Sequence, residues 1–275
     1  MKNTSINRYN VAVVDQSGKV GTVRYYQKGG RTYVRSAANR VDSNSNPRTD
    51  AQMKARLMYN SKIALYRLFK GLLKGAFQNK PRYQSEYQAY MQANANVGCY
   101  MTKDEYRNGM IVLMPVKVAE GELAPVNVGA PSNGDLDTHI SITVSPGDEN
   151  IKMGQLSQSI IDNNPGFANG DQITFMYEDN GVVKVKKIVL DTTSTDPTPS
   201  GFFDQVGFLW ASVPQDCKFA VGIHSNSEGM TSSASLVLST AATTEYNSYL
   251  TAEKFQLARD SYGKAKESIL IPAKS

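Results

Sequence analysis

Apolar and polar residues alternate with a period of two over Tyr9, Val11 and Val13, and apolar positions continue at Val20, Val23, Tyr25 and Tyr26. This spacing predicts strands. Asp15-Gln16-Ser17-Gly18 carries turn chemistry, and Gly29-Gly30 after Lys28 supplies the positive φ of a tight hairpin before Arg31-Thr32-Tyr33-Val34-Arg35 returns. Large aliphatics are few here, so the ribbon is expected as an arm or as a layer on something else, because an isolated two-stranded ribbon is marginal in water. A polar linker over 39–47 ends in Asn46-Pro47. Thr49 or Asp50 then caps a helix over about 50–77, in which Leu57, Met58, Leu65, Leu68, Phe69 and Leu72 fall on one arc. Gly71 and Gly75 weaken its last turns, where a kink or an early stop is expected. Pro81 opens a second helix over about 82–97 with Gly98 as its C-cap, and the pair reads as an antiparallel helical hairpin.

Beyond residue 110 the pattern changes to short apolar runs: Ile111–Val116, Ile140–Val144, Gln172–Tyr177, Lys184–Leu190, Phe208–Trp210, Phe219–His224 and Ser235–Leu238. Gly, Pro, Asn and Asp punctuate them, which argues for an antiparallel sandwich or a partly open barrel. Residues 151–164 read as one short helix, 191–201 as a long surface loop, and 244–262 as a final helix with Tyr246, Leu250 and Leu257 on one side. The expected class is α+β: a β-hairpin arm and linker over 1–48, a helical hairpin over 49–109, an antiparallel β-sandwich-like domain over 110–240, and a helix and tail over 241–275. The tail, Ser268-Ile269-Leu270-Ile271-Pro272, is apolar and β-prone, suited to adding a strand to this chain or to a neighbour.

Composition narrows the function. The chain has 275 residues, 40% hydrophobic and 20% charged, enough for about two domains. No apolar run approaches the roughly 20 residues of a membrane-spanning helix. Met1–Ser5 leads into no apolar stretch of the kind a secretory signal carries. Two cysteines, Cys99 and Cys217, and two histidines, His139 and His224, leave no multi-cysteine metal site and at most one disulfide. The net charge of +5 hides a polarity: residues 1–110 hold 19 basic and 6 acidic residues, and the remainder 11 and 19. A cationic front suits nucleic acid, acidic membranes or acidic protein faces, and a bipolar chain can dock head to tail on copies of itself.

Catalytic motifs are absent: there is no Walker loop, dinucleotide fingerprint, HExxH or GxSxG. Gly18-Lys19-Val20-Gly21-Thr22 lacks the spacing of a phosphate loop and sits between strands. Asp137, His139 and Ser141 would share one face of a strand, which does not converge them as a triad requires. His224 reads as a half-exposed strand end before the turn Ser225–Gly229, and the adjacent pairs Asp148-Glu149 and Glu178-Asp179 as solvated loop charges. Asp135 and Asp137 lack the ligand spacing of a calcium loop. No enzyme activity, cofactor or metal is expected.

The basic constellations carry more. Arg24, Lys28, Arg31 and Arg35 lie on one ribbon with Tyr25, Tyr26 and Tyr33 interleaved, a combination that binds phosphates and stacks bases. The plain alternative is an exposed ribbon whose charges guard its edges. Arg56, Arg67, Lys70 and Lys74 form a second basic face on the first helix, or a solvated one. Tyr83, Tyr87 and Tyr90 share a face of the second helix suited to core or subunit interface.

Three short stretches, Gly18–Val23, Gly30–Ser36 and Pro47–Met53 with Arg56, together with Asn169–Phe175 and Ser227–Ala234, resemble an uncharacterised family of Bacteroidota genomes and their phages with a GKVG…VRS…RTxAQ front. Tyr26-Gln27-Lys28 replaces the Trp-bearing segment usual there. The resemblance implies a virion structural protein, as in crAss-like phages. It would be a ring, collar or tail-associated component, assembled in the host cytoplasm and partnered by copies of itself, by other virion proteins and by packaged DNA. It implies no residue-level site. The alternative is a nucleic-acid-binding module that uses the Tyr/Arg hairpin.

Overall fold

The computed structural model describes residues 18–20, 23–28, 31–36 and 49–262. The expected strand at 9–13, the turn at 15–17, the linker and the tail strand at 268–272 lie outside the described residues. The chain divides into two compact units, one holding the ribbon with residues 81–83, the other running over 50–80 and from 84 onward.

In the first unit, β1 (Gly18–Val20), β2 (Val23–Lys28) and β3 (Arg31–Ser36) form an antiparallel meander. Lys28 pairs with Arg31 and Val20 with Val23, the registers that two-residue connections give.

The second unit is α+β with antiparallel sheets, in which helices, a central sheet and an outer sheet form successive layers. Its elements are α1 (Asp50–Phe69), α2 (Glu86–Ala93), α3 (Lys103–Arg107), β4 (Lys117–Ala119), β5 (Asp135–Ser141), α4 (Met153–Asn163), β6 (Gln172–Asp179), β7 (Val182–Val189), β8 (Phe202–Gln205), β9 (Phe208–Ser212), β10 (Phe219–Ser225), β11 (Ala234–Ser235), β12 (Val237–Leu238), α5 (Thr240–Ser248) and α6 (Ala252–Ser261). The central sheet has the order β12-β10-β6-β7 and the outer one β5-β9-β8, with a small β11-β4 pair besides. The two middle strands of the central sheet, β6 and β10, are buried on both faces, whereas the edge strand β7 is largely exposed. Met176, Phe219 and Val221 pack with Leu65, Phe69 and Tyr90 of the helices, while Ile173, Phe175 and Ala220 pack with Leu136, Ile140 and Leu209 of the outer sheet and Leu156 and Ile160 of α4. Double burial explains why Phe219-Ala220-Val221-Gly222-Ile223 is an unbroken apolar run. In β5, Leu136, Thr138 and Ile140 are buried and the residues between them are not, the alternation of a sheet with one open face.

Several boundaries differ from the periodicity. The first helix stops at Phe69, whose carbonyl accepts from both Leu72 N and Leu73 N; Gly75 follows with φ of 77°. The second begins only at Glu86, because Ser85 and Gln88 close a reciprocal capping box there. It ends at Asn94, not Gly98. The Asn94 amide donates to Tyr90 O and Lys117 O, and the buried Lys62 ammonium donates to the Asn94 and Ala95 carbonyls. Burial lowers the pKa of Lys62. Ile111–Val116, expected as a strand, takes no regular element although Val112, Met114 and Val116 are buried; Val116 N donates back to Met114 O around Pro115, and the strand begins only at Lys117. The expected final helix is two, α5 and α6, parted where Thr251 caps the second.

Candidate binding face on the ribbon

Residues directly opposite in an antiparallel pair share a face, as do alternate residues along each strand. The register pairs Arg24 with Arg35, Tyr26 with Tyr33, and Lys28 with Arg31. All six positions therefore share one face, and the β1–β2 register adds Lys19 beside Arg24. The face reads as three rows across the strands: Lys19, Arg24 and Arg35; then Tyr26 and Tyr33; then Lys28 and Arg31. Rows are about 7 Å apart, two residues of strand. The two tyrosine rings stack with centroids 5.5 Å apart and planes 18° off parallel, and both are about 40% exposed. Tyr25 pairs with Val34 and lies on the other face, so it is separated from the cationic set. Like charges directly opposite one another weaken a ribbon, by a few tenths of a kcal/mol or more per pair. The register sets two such cross-strand pairs, Arg24 with Arg35 and Lys28 with Arg31, within the β2–β3 hairpin. Lys19 is the member that reading along the sequence did not single out, because only the β1–β2 register brings it alongside.

The other basic set is more scattered. Arg56 and Arg67 are exposed on α1, and Lys70 and Lys74 are exposed in the turns after it. None of the four takes part in the ion pairs found among the described residues. The three tyrosines of the second helical segment separate. Tyr83 precedes α2 and is exposed, with the Arg82 guanidinium 5.9 Å from its ring centre. Tyr87 is half-buried, its hydroxyl 2.8 Å from that of Tyr59. Tyr90 is wholly buried in the chain's own core against Tyr66. Tyr90 therefore belongs to the chain's own core and not to a subunit interface, the role its helical face suggested, because no part of its side chain reaches the surface.

The polar candidates of the second unit also find their places. His224 is not a half-exposed strand end: it is fully buried. Its Nε2 lies 2.8 Å from Asp171 Oδ2 and its Nδ1 3.0 Å from the Ala124 carbonyl, and its ring stacks on Phe167 at 4.5 Å. Both ring nitrogens face acceptors, so both hydrogen bonds coexist only when the pair holds one proton more than a neutral imidazole and a carboxylate would. Asp171 also accepts from Ala168 N. Glu178 is likewise buried rather than solvated, accepting from Gly181 N and Lys218 N. Asp148 and Asp179 are taken by Asn150 and Asn180 at exposed turns.

His139 is exposed and sits at φ of 51° in an irregular stretch of β5, where its amide donates to Asp137 Oδ1. His139 Nε2 lies 3.6 Å from Asp137 Oδ2, while Ser141 is held through its backbone by the Asn164 side-chain amide and no hydrogen bond found among the described residues joins its hydroxyl to His139. The cleft beside them, about 310 Å³, is lined by Thr138, Asn163 and Asn164, whose hydroxyl and amide groups already bond to backbone. Cys99 and Cys217 are both buried free thiols, one in each core, so no disulfide joins them.

Among the described residues no three His, Cys, Asp or Glu side chains gather as metal ligands, and no helix is long and apolar enough to cross a membrane. The ribbon register places five cationic positions and two tyrosines on one face. Comparison of the chain with protein-family models, with curated proteins and with solved structures finds no match.

Proposed function

We propose that the chain is a non-enzymatic assembly protein of a phage particle, a ring, collar or tail-associated component that self-associates and uses its ribbon to engage a polyanionic surface. The observation that carries this reading is the ribbon register, which sets Arg24 against Arg35 and Lys28 against Arg31 on one face. Such a face is costly to the isolated chain and rewarding only when something anionic covers it. The charge polarity supports it, since a cationic front and an acidic remainder can orient successive copies head to tail. The resemblance of the front motifs to phage-associated sequences supports the particle context. The test is mass photometry of the full chain and of a chain lacking residues 1–40. The full chain is expected as a closed oligomer, and the shortened one as a folded species by circular dichroism that no longer assembles. Assembly retained without the ribbon overturns the reading.

A further inference from the structure

We infer that the ribbon's ligand is single-stranded nucleic acid, laid along the strands so that phosphates meet the two cationic rows and an unstacked base packs on the Tyr26–Tyr33 pair. The inference rests on the ribbon being the chain's polyanion face and adds which polyanion fits it. The order of the rows carries the argument. A duplex offers phosphates but hides its base faces in its own stack, so the two half-exposed tyrosine rings at the centre of the face would meet only backbone. A run of aspartates and glutamates offers carboxylates but no planar ring system to pack against the tyrosines. A single strand supplies both, with phosphates regularly spaced along a flexible backbone and bases free to turn inward, the pairing that aromatic platforms in cationic grooves exploit. The cationic rows stand on both sides of the tyrosine row, about 7 Å away along the strands. A nucleotide stacked at the centre therefore has its two flanking phosphates within reach of opposite rows. Discrimination between bases is expected to be weak, because every base has a stacking face.

The experiment is fluorescence anisotropy of a labelled oligothymidylate of about 15 nucleotides with the full chain, across a salt series. Binding is expected to weaken with salt at a log–log slope of up to about −3.5, five cations at about −0.7 each. Arg31→Ala should lower the affinity and reduce the slope by about 0.7. Tyr26→Ala and Tyr33→Ala should each weaken binding roughly five- to 150-fold, whereas Tyr26→Phe/Tyr33→Phe, which keeps the rings and the ribbon's β-propensity, should bind nearly as the wild type. Absence of binding at low salt overturns the inference. So does a duplex of the same length that binds as tightly, polyglutamate that displaces the oligonucleotide at equal charge concentration, or loss of binding in the phenylalanine variant. Mass photometry of the alanine variants reads assembly separately. Variants that still assemble but no longer bind support the inference, and a wild-type chain that assembles but never binds overturns it while leaving the assembly reading in place.

Discussion

The buried His224–Asp171 pair ties β10 to the loop before β6. His224→Phe keeps a ring of similar size against Phe167 but removes both nitrogen atoms. It strands the Ala124 carbonyl and leaves the Asp171 carboxylate, 8% exposed, without its 2.8 Å partner. Removing one member of a buried histidine–carboxylate pair costs about 3–5 kcal/mol, because the other stays desolvated. For a unit of roughly 200 residues, at about 2–4 °C per kcal/mol, the melting temperature should fall by about 6–20 °C. Urea unfolding followed by circular dichroism gives the free energy directly, with an unchanged slope marking an effect on the native state. Asp171→Asn keeps an acceptor for Ala168 N but removes the charge that faces His224. If the two side chains act as one unit, the double variant should lose about 2 kcal/mol less than the sum of the single losses. Single losses under about 1 kcal/mol, or strictly additive ones, would refute the view that this pair holds β10 to the loop before β6.

Other consequences follow from burial and capping. Burial pushes the Cys99 thiol up to about 12, and burial with the shared Tyr59 hydrogen bond pushes Tyr87 up to about 12; Tyr249 rises to about 12 by burial and the nearby Glu105. A folded pKa raised above the unfolded one contributes stability that is present at neutral pH and fades as pH climbs from about 9 through 12, so the urea midpoint should drop steeply across that window. Iodoacetamide at pH 8 should leave Cys99 unmodified until the chain unfolds, and rapid labelling of the folded chain would contradict its burial. Burial acts to raise Glu105, but hydrogen bonds from Lys254, at 2.6 Å, and Thr102 outweigh it and hold the carboxyl below its ordinary value. Glu105→Gln should cost about 1–3 kcal/mol at pH 7, and the difference from wild type should shrink as pH falls through the carboxylate's folded value, since a depressed pKa contributes stability only above it. A Cβ at Gly154 would lie 2.7 Å from both the Thr192 and Ser194 carbonyl oxygens. Gly154→Ala should therefore lift the 191–201 loop from the start of α4, at about 1–3 kcal/mol by chemical unfolding.

Local pattern made much of this molecule legible. The α+β class, the strands at Gln172–Tyr177 and Phe219–His224, and the helix near 151–164 all follow from period and punctuation, because each element's own apolar spacing reports the face it buries. Helix ends were less legible. Ser85 and Gln88 form a capping box that starts the second helix later than Pro81 suggests, whereas Gly71 and Gly75 did mark where the first helix weakens, and it ends just before them at Phe69. Sequence alone places His224 at a half-exposed strand end, because its partner, Asp171, stands 53 residues away and nothing in the neighbouring sequence marks either as paired. Glu178 was misread for a related reason, since one of its backbone donors, Lys218, belongs to a different part of the chain.

The sequence by itself determined the ribbon's composition, cations and tyrosines gathered within a dozen residues, and the charge polarity from front to rear. Only the tertiary structure decided which of these residues act together. Strand register placed Tyr26 with Tyr33 between two cationic rows, drew in Lys19 and sent Tyr25 to the opposite face. Chain packing drew Tyr90 into the core while leaving Tyr83 outside. The physical reason is that a periodic pattern states which side of an element is apolar, whereas the identity of the residue across the sheet or beneath the helix depends on pairings between segments distant along the chain.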